Sequence, residues 1–570
     1  MFSLLKYAKE YRKQLILGPV FKFLEAVFEL ILPFQMARLI DEGIKQNDWP
    51  QVVQMTVWMV AMSVIGLACA LVCQYFASFA SQGFGTELRN QLLRKINQLS
   101  HEELNQFGTD TLITRMTNDV NQLQLALAML IRLVVRAPFL SVGAILMAFV
   151  IDWQAGLLFL LVLPLFCLVL YWMITRSVPM YKKVQQRLDA LNELVSQNLS
   201  GVRVIRAFAR TDQQKQTFHE ATDALNDTYV RVGNLQALLT PATTLLMNVG
   251  IIGLFYLGGW KVNAGHLQQG QLLALVNYMN QMLLALIVVS NLVVIFTRAA
   301  ASAERINEVL AVQPAIVDCG AAPTETLKGG LAFEKVSFRY GPTYGSALSD
   351  ISFTVKPNQT IGLIGPTGSG KSTLTQLIPR FYEASAGRVL LDQRPVADFS
   401  LTTLRTQIAM VPQTAVLFHG TIRENLQWGK ATASDDDCWQ ALAIAQATDF
   451  VQSLPKQLDT LIQEGGKNFS GGQRQRLTIA RAVIAKPAIL ILDDSLSALD
   501  YKTDLALRRA LQTQPGTVLI ISQRVRSIQE ANQILVMDNG RLLAQGTHEE
   551  LLDASSEYRE IVQSQAEVTD

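Results

Sequence analysis

Long stretches of the chain carry no charge. None occurs from Gln51 to Thr86, from Trp153 to Thr175, or from Val232 to Trp260. A helix that crosses a bilayer needs about 20 mostly apolar residues. Six segments meet that need, near residues 15–40, 52–80, 126–151, 154–175, 239–260 and 271–297. Several exceed the hydrocarbon thickness, so their helices are expected to continue into water. After Arg298 the pattern changes. Ala299–Leu310 reads as an amphipathic continuation of the sixth helix, and residues 311–330, with two prolines and three glycines, read as a linker. From Leu331 onward short β-rich apolar runs alternate with helical patterns, which predicts an α/β domain.

The connections between spans alternate in character. Those at 41–51, 152–153 and 261–270 are short, with Lys45 and Lys261 as their only Lys or Arg. Those at 81–125 and 176–238 are long and together hold thirteen Lys and Arg. The positive-inside rule makes the long ones cytoplasmic, with both termini on the same side. Lys6, Lys9, Arg12 and Lys13 precede an apolar segment, Leu15–Ile40, that is too long for a signal-peptide core, so it reads as an uncleaved first span. The charged fraction, 17%, is low for a soluble or disordered chain. A net charge of +2 excludes nucleic-acid binding by bulk electrostatics. The five cysteines show neither a disulfide framework nor zinc spacing.

The chemistry lies in the second half. Gly365, Pro366, Thr367, Gly368, Ser369, Gly370, Lys371 and Ser372 spell the G-x-x-x-x-G-K-[ST] phosphate loop, with Thr373 next. An apolar run, Thr360–Ile364, precedes it and a helical pattern, Ser372–Ile378, follows. Glycines let backbone N–H groups close on phosphate oxygens, Lys371 adds a point charge, and Ser372 offers a hydroxyl to Mg²⁺. Ala488–Asp493 reads as a buried strand ending in a carboxylate, which positions Asp493 to hold that ion. Ser470, Gly471, Gly472 and Gln473 open a further helix, a second anion-binding design on a chain with a single phosphate loop. That duplication suggests service to a nucleotide on another subunit.

With these residues in place, the chain resembles a half-size ABC exporter. It has a six-helix transmembrane domain (1–310), the linker (311–330) and an α/β P-loop nucleotide-binding domain (331–570). The resemblance implies binding of ATP and Mg²⁺. It makes Tyr340 the adenine-stacking aromatic and Gln413 a residue that touches Mg²⁺. It makes Ser470–Gln473 the signature, and Asp500 part of the loop that crosses the dimer interface. Glu464 and Gly466 match the loop before the signature. Gly108–Asp119 and Glu193–Arg210 resemble segments around the two cytoplasmic coupling helices, the second reaching the partner's domain.

Two positions depart from that family. Its catalytic glutamate is Asp494 here, whose carboxylate is withdrawn by roughly 1.5 Å, and a misplacement of about 1 Å can cost on the order of 100-fold in rate. Its γ-phosphate histidine is Gln523, which cannot become a cation. The resemblance therefore narrows to the impaired subunit of heterodimeric bacterial multidrug exporters. The expected partner is a second half with glutamate and histidine intact, fired through this chain's Ser470–Gln473. A multi-pass protein of a bacterial plasma membrane is expected, and lipophilic, cationic compounds are the expected cargo. Lipid or peptide export on the same frame, or a regulatory ATP-binding subunit, are the alternatives. Candidate cargo residues are Glu25 and Glu29, an i, i+4 pair inside the first span, and a polar stripe, Asn277, Gln281 and Asn291, on the sixth. Arg132 and Arg136 are expected to snorkel from the third span.

Overall fold

The computed structural model describes residues 2–318, 326–341 and 344–566, with the side chains of Phe2, Ser290, Asn291, Val293 and Ala566 excepted. The chain forms two compact units. The first comprises Met1–Asn97 and Thr109–Val312. The second comprises Gln98–Gly108 and Gln313–Asp570. A piece of the first long loop, including the helix His101–Phe107, thus packs with the α/β unit and not with the spans around it.

Among the described residues five helices are long and apolar enough to cross a membrane: Trp49–Gln98, Thr109–Ile151, Trp153–Ser200, Thr211–Asn263 and Gln269–Ala311. The last five expected spans fall inside them. The first expected span lies in the helix Arg12–Arg38 and the π-helical turn Leu39–Ile44. It is helical as expected, but Lys22, Glu25 and Glu29 interrupt its apolar surface.

Pro33 sits within that helix and has no N–H to give the carbonyl of Glu29, four residues earlier. In an apolar medium a freed carbonyl must find another donor. Gln281 Nε2 supplies it, at 3.3 Å from Glu29 O. The next carbonyl, Leu30 O, accepts from the buried hydroxyl of Tyr278 at 2.6 Å. The sixth-span polar face therefore repairs a proline break in the first helix. Small residues on Arg136–Ile151, among them Ala137, Ser141, Gly143, Ala144 and Ala148, are buried and let helices approach closely. Asp41, also buried, lies against the start of Gln269–Ala311. Its carboxylate accepts from Gly270 N at 2.8 Å and Gln271 N at 3.1 Å. These are unpaired amides at the positive end of a long helix.

The α/β unit is built on a six-stranded sheet with order Arg541–Gly546, Gln533–Asp538, Thr360–Ile364, Thr517–Ile521, Ile489–Asp493, Ile408–Val411. All neighbours run parallel except the Arg541–Gly546 edge. Ile489–Asp493 and Thr517–Ile521 are buried at every position, as strands covered on both faces must be. Ile521 pairs with Leu363 on one side and Asp493 on the other, so three strands end at one level. A second sheet, with Leu331–Phe338 between Leu348–Val355 and Ala386–Leu391, shares an apolar core with one face of the six-stranded sheet, where Phe333 and Phe353 join Leu363, Ile491 and Leu535.

Removing the Asp41 carboxylate leaves the buried Gly270 amide unsatisfied. Asp41→Ala is expected to destabilise the membrane unit by about 1–3 kcal/mol, read as a lowered melting temperature in detergent. An unchanged melting temperature would show that water replaces the carboxylate.

Candidate nucleotide site

Strand ends build the site. The loop after Thr360–Ile364 turns back over the sheet and enters the helix Lys371–Leu377. Gly365 and Gly370 have φ of 156° and 95°. A Cβ at Gly365 would lie 2.0 Å from Met537 O, so no other residue fits. Lys371 is buried and its Nζ donates to Gly365 O at 2.9 Å and Pro366 O at 2.7 Å, drawing the loop around its own cation. Burial pushes the Lys371 ammonium down, opposed by Asp494 and then Asp493.

Ser372 Oγ donates to Asp493 Oδ1 at 3.0 Å. Hydroxyl and carboxylate oxygens are hard donors of the kind Mg²⁺ takes, and that cation keeps several waters and bridges to phosphate. The residues present thus fit Mg²⁺. Ser372 and Asp493 would hold it, with Gln413 beside them, and it would neutralise phosphate charge. Burial raises the Asp493 carboxyl, the Ser372 hydrogen bond opposes this, and Asp494 adds to it. Asp494 has φ of 46°, in the left-handed region that aspartate tolerates better than most residues. Gln413 Nε2 donates to its Oδ2 at 3.3 Å. Burial raises the Asp494 carboxyl, and the Gln413 hydrogen bond is the first opposing effect.

A cavity of about 460 Å³ gathers Tyr340, Thr367, Gly368, Gly370, Lys371, Ser372, Thr373, Gln413, Asp493, Asp494 and Gln523. Tyr340 is anchored by its hydroxyl, 2.9 Å from Thr373 Oγ1. Ser470, Gly471, Gly472, Gln473 and Asp500 do not line this cavity. Ser470 and Gln473 instead form a reciprocal cap at the start of Gly471–Val483. Ser470 N donates to Gln473 Oε1 at 2.9 Å, and Gln473 N to Ser470 Oγ at 3.3 Å. Asp500 caps Tyr501–Gln512, accepting from Thr503 N at 3.0 Å.

The candidate cargo residues are not free charges. Glu25 binds Lys22 at 2.7 Å. Glu29 takes a two-pronged contact from Arg136 Nη2, at 2.9 and 2.8 Å. Arg136 therefore pairs inward, where snorkelling was expected. Asn277 Nδ2 is turned to its own helix, at 3.1 Å from Leu273 O. Glu29, Arg136 and Gln281 line a second cavity of about 160 Å³. The side chain of Asn291 lies outside the described residues.

Sequence reasoning missed two supports. The Asn539–Gly540 turn holds the phosphate loop from behind, with Gly540 N donating to Ser369 O at 3.1 Å. An Asn-Gly pair between two apolar runs is a hairpin signal that points to it. The other is the seat of His101–Phe107. The His101 ring stacks on Phe381, centroids 4.3 Å apart. Asn105 Nδ2 donates to the Tyr382 hydroxyl at 2.8 Å, and Tyr382 meets Tyr340 edge-on.

Residues 15–286 match the family model of the ABC transporter transmembrane region, and residues 348–497 match that of the ABC transporter. An uncharacterized ABC transporter ATP-binding protein of Bacillus subtilis is 38% identical over 99% of this chain and 98% of its own. An ATP-dependent lipid A-core flippase of Chromobacterium violaceum is 32% identical, covering 97% of this chain and 95% of that one. Among solved structures, a bacterial Atm1-family ABC exporter with ATP bound superposes with a TM-score of 0.82 at 23% identity, over 97% of this chain and 99% of that one.

Covering one ring face of His101 on Phe381, with the Arg405 guanidinium nearby, pushes its imidazole below the ordinary value of 6.5. The seated state then favours the neutral ring. Its stability is full above 6.5 and declines as the pH falls from there toward the depressed value. On acidification from about pH 7.5 to about pH 5.5 the wild-type protein should lose melting temperature relative to His101→Phe. Parallel curves would exclude His101 as the source.

Proposed function

The chain belongs to the ABC transporter family, with one transmembrane region and one nucleotide-binding domain on a single polypeptide, and from that premise we propose that it is the catalytically impaired subunit of a heterodimeric, ATP-driven exporter. The observation that carries this reading is the composition of the Lys371 cavity. It holds a full set of groups for binding Mg-nucleotide, yet it holds Asp494 and Gln523 where the family places its glutamate and histidine, and Ser470–Gln473 lie outside it.

The work divides accordingly. Lys371, the loop amides and Tyr340 bind and orient ATP. Asp494 is tied to Gln413 and one bond short, so it aims poorly at an attacking water. Gln523 offers a neutral contact where a histidine could carry charge. Ser470 and the helix start it caps present donors to a nucleotide held by a second subunit, whose own glutamate and histidine do the chemistry. The second cytoplasmic loop also argues for such a subunit. Its tip, Val202–Ala207, buries none of its residues, and Val204 and Phe208 are exposed. ATP closes the paired nucleotide-binding domains, the loops pass that closure to the spans, and hydrolysis at the partner's site resets them. Multi-pass insertion with both termini and the nucleotide-binding domain in the cytoplasm of a bacterial cell follows from the same reading.

Multidrug efflux is the favoured cargo class, with the cavity at Glu29, Arg136 and Gln281 as its binding wall. Lipid export is the second reading. Two observations favour it: the wall offers a neutralised ion pair where a free carboxylate was expected, and relatives of similar length are named lipid A-core flippases.

In the assembled transporter Asp494→Asn is expected to change ATP turnover by less than about twofold, because this site does not perform the chemistry. Ser470→Arg should cost about 10²–10³, the usual price of losing donors to developing charge. Brisk, Lys371-dependent hydrolysis by this chain alone would overturn the division of labour. Glu29→Gln leaves Arg136 an unpaired cation in the cargo wall, so export of lipophilic cations should fall more than export of neutral analogues. Equal losses would remove the electrostatic basis for cation efflux.

A further inference from the structure

The C-terminal helix, Ser556–Ala566, reaches back to the nucleotide site. Its first turn is pinned. Tyr558 is fully buried, its hydroxyl lies 2.7 Å from His548 Nδ1, and its N–H donates to Ser555 Oγ at 3.2 Å. About two turns later the Gln565 amide grips the bend that follows the strand Thr517–Ile521. Gln565 Nε2 donates to Gln523 O at 2.6 Å. Gln565 Oε1 accepts from Val525 N at 2.9 Å. One side chain thus satisfies a carbonyl and an amide on either side of Arg524.

The position of this bend matters because the strand ladder ends there. Ser522 N still donates to Leu363 O, at 3.2 Å. Beyond it Ser522 Oγ accepts from Arg524 N at 2.9 Å, and a short 3₁₀ turn, Val525–Ser527, closes with Ser527 N on Arg524 O at 3.1 Å; side chains then tie this turn to its neighbours. Arg524 Nη2 donates to Ser497 O at 3.2 Å, in the loop between Asp494 and Asp500. Ser527 Oγ donates to Asp504 Oδ2 at 3.0 Å, and Val525 is buried. Those contacts hold the far side of the bend. On the near side, where Gln523 faces the Lys371 cavity, the Gln565 amide fixes the backbone.

We propose that Gln565 is a positioning residue: it clamps the bend so that Gln523 meets the terminal phosphate, and the C-terminal helix thereby sets how strongly the site prefers a nucleoside triphosphate over a diphosphate. This rests on the reading of Gln523 as the γ-phosphate contact. A site that binds ATP without hydrolysing it reports occupancy, and its triphosphate preference is then the property that matters. Tyr340 and the loop amides serve parts of the nucleotide that ATP and ADP share, and Lys371 reaches both the β- and the γ-phosphate without help from the bend; loosening the bend should therefore weaken ATP and spare ADP.

The test measures Mg-ATP and Mg-ADP affinities of the full-length chain in nanodiscs. Gln565→Met keeps the length of the side chain and removes both hydrogen bonds. It is expected to lower the ATP-over-ADP preference by about three- to tenfold, the range for one or two neutral hydrogen bonds. Amide exchange should accelerate at residues 523–526 and nowhere else in the nucleotide-binding unit. Gln565→Glu keeps the acceptor for Val525 N and loses the donor to Gln523 O, and should shift the preference in the same direction. It serves if the methionine variant does not fold. An unchanged preference in the Gln565 variants, with Gln523→Ala reducing it, overturns the clamp and leaves the role of Gln523 standing. A Gln523→Ala chain with unaltered preference removes the premise and the proposal with it. Equal loss of both nucleotides in the Gln565 variants also overturns it, since that is general loosening.

Discussion

Parallel pairing of three buried strands is the constraint on which the nucleotide site depends. Ile521 stands opposite Leu363 and Asp493 at once, so the segments leaving all three strands emerge at one level of the sheet. The phosphate loop, the two acidic residues and the Gln523 bend are therefore neighbours by register, although more than 150 residues of sequence separate the first from the last. A slip of one residue would turn each of these side chains to the opposite face. Such a slip is costly because the polar ends of ILILD and TVLII are already buried and bonded, Asp493 to Ser372 at 3.0 Å and Thr517 Oγ1 to Gly329 O at 2.7 Å. Finer adjustment comes from hydrogen bonds across the strand ends, such as Ser372 to Asp493 and Gln413 to Asp494.

In the membrane unit the governing fact is the poverty of the solvent. Hydrocarbon offers no hydrogen bonds, so a backbone irregularity gains by an answer from inside the protein, as two receive here. Pro33 frees a carbonyl and Gln281 meets it. The start of a long helix exposes amides and Asp41 meets them. Lys261 lies against Asp152 at 2.6 Å, so the polar residues at two helix ends satisfy each other. Glu29 and Arg136 follow the same rule deeper in the unit, at the edge of a cavity.

Much of this was legible in the sequence because local signals are strong where one stretch of chain does the whole task. The phosphate loop, its strand and its helix are consecutive, and uncharged runs declare spans without reference to anything else. Asp494 and Gln523 are read as departures because each sits beside a motif with fixed spacing. The pairings were not legible. Glu29 and Arg136 are 107 residues apart, and no periodicity links them. A charge on a helix face reads the same whether it is free or neutralised. Likewise the polar stripe of the sixth span gave no sign that Gln281 serves a proline on another helix. His101–Phe107 was assigned with the spans by position in the chain, whereas His101, Asn105 and Glu103 tie it to the α/β unit through Phe381, Tyr382 and Ala315.

The double employment of Gln281 bears on how such a transporter can change through evolution. On the proposed function, a residue that lines this cavity would ordinarily be open to drift, each substitution trying a new range of compounds. Gln281 is also the donor that meets the carbonyl freed by Pro33, so a replacement unable to donate there would cost the membrane unit stability as well as alter the cavity. Leu284 and Val288 share the same cavity wall and carry no such duty among the described residues. New specificities should therefore arise on the apolar side of that wall, while its polar side stays fixed by the backbone it repairs.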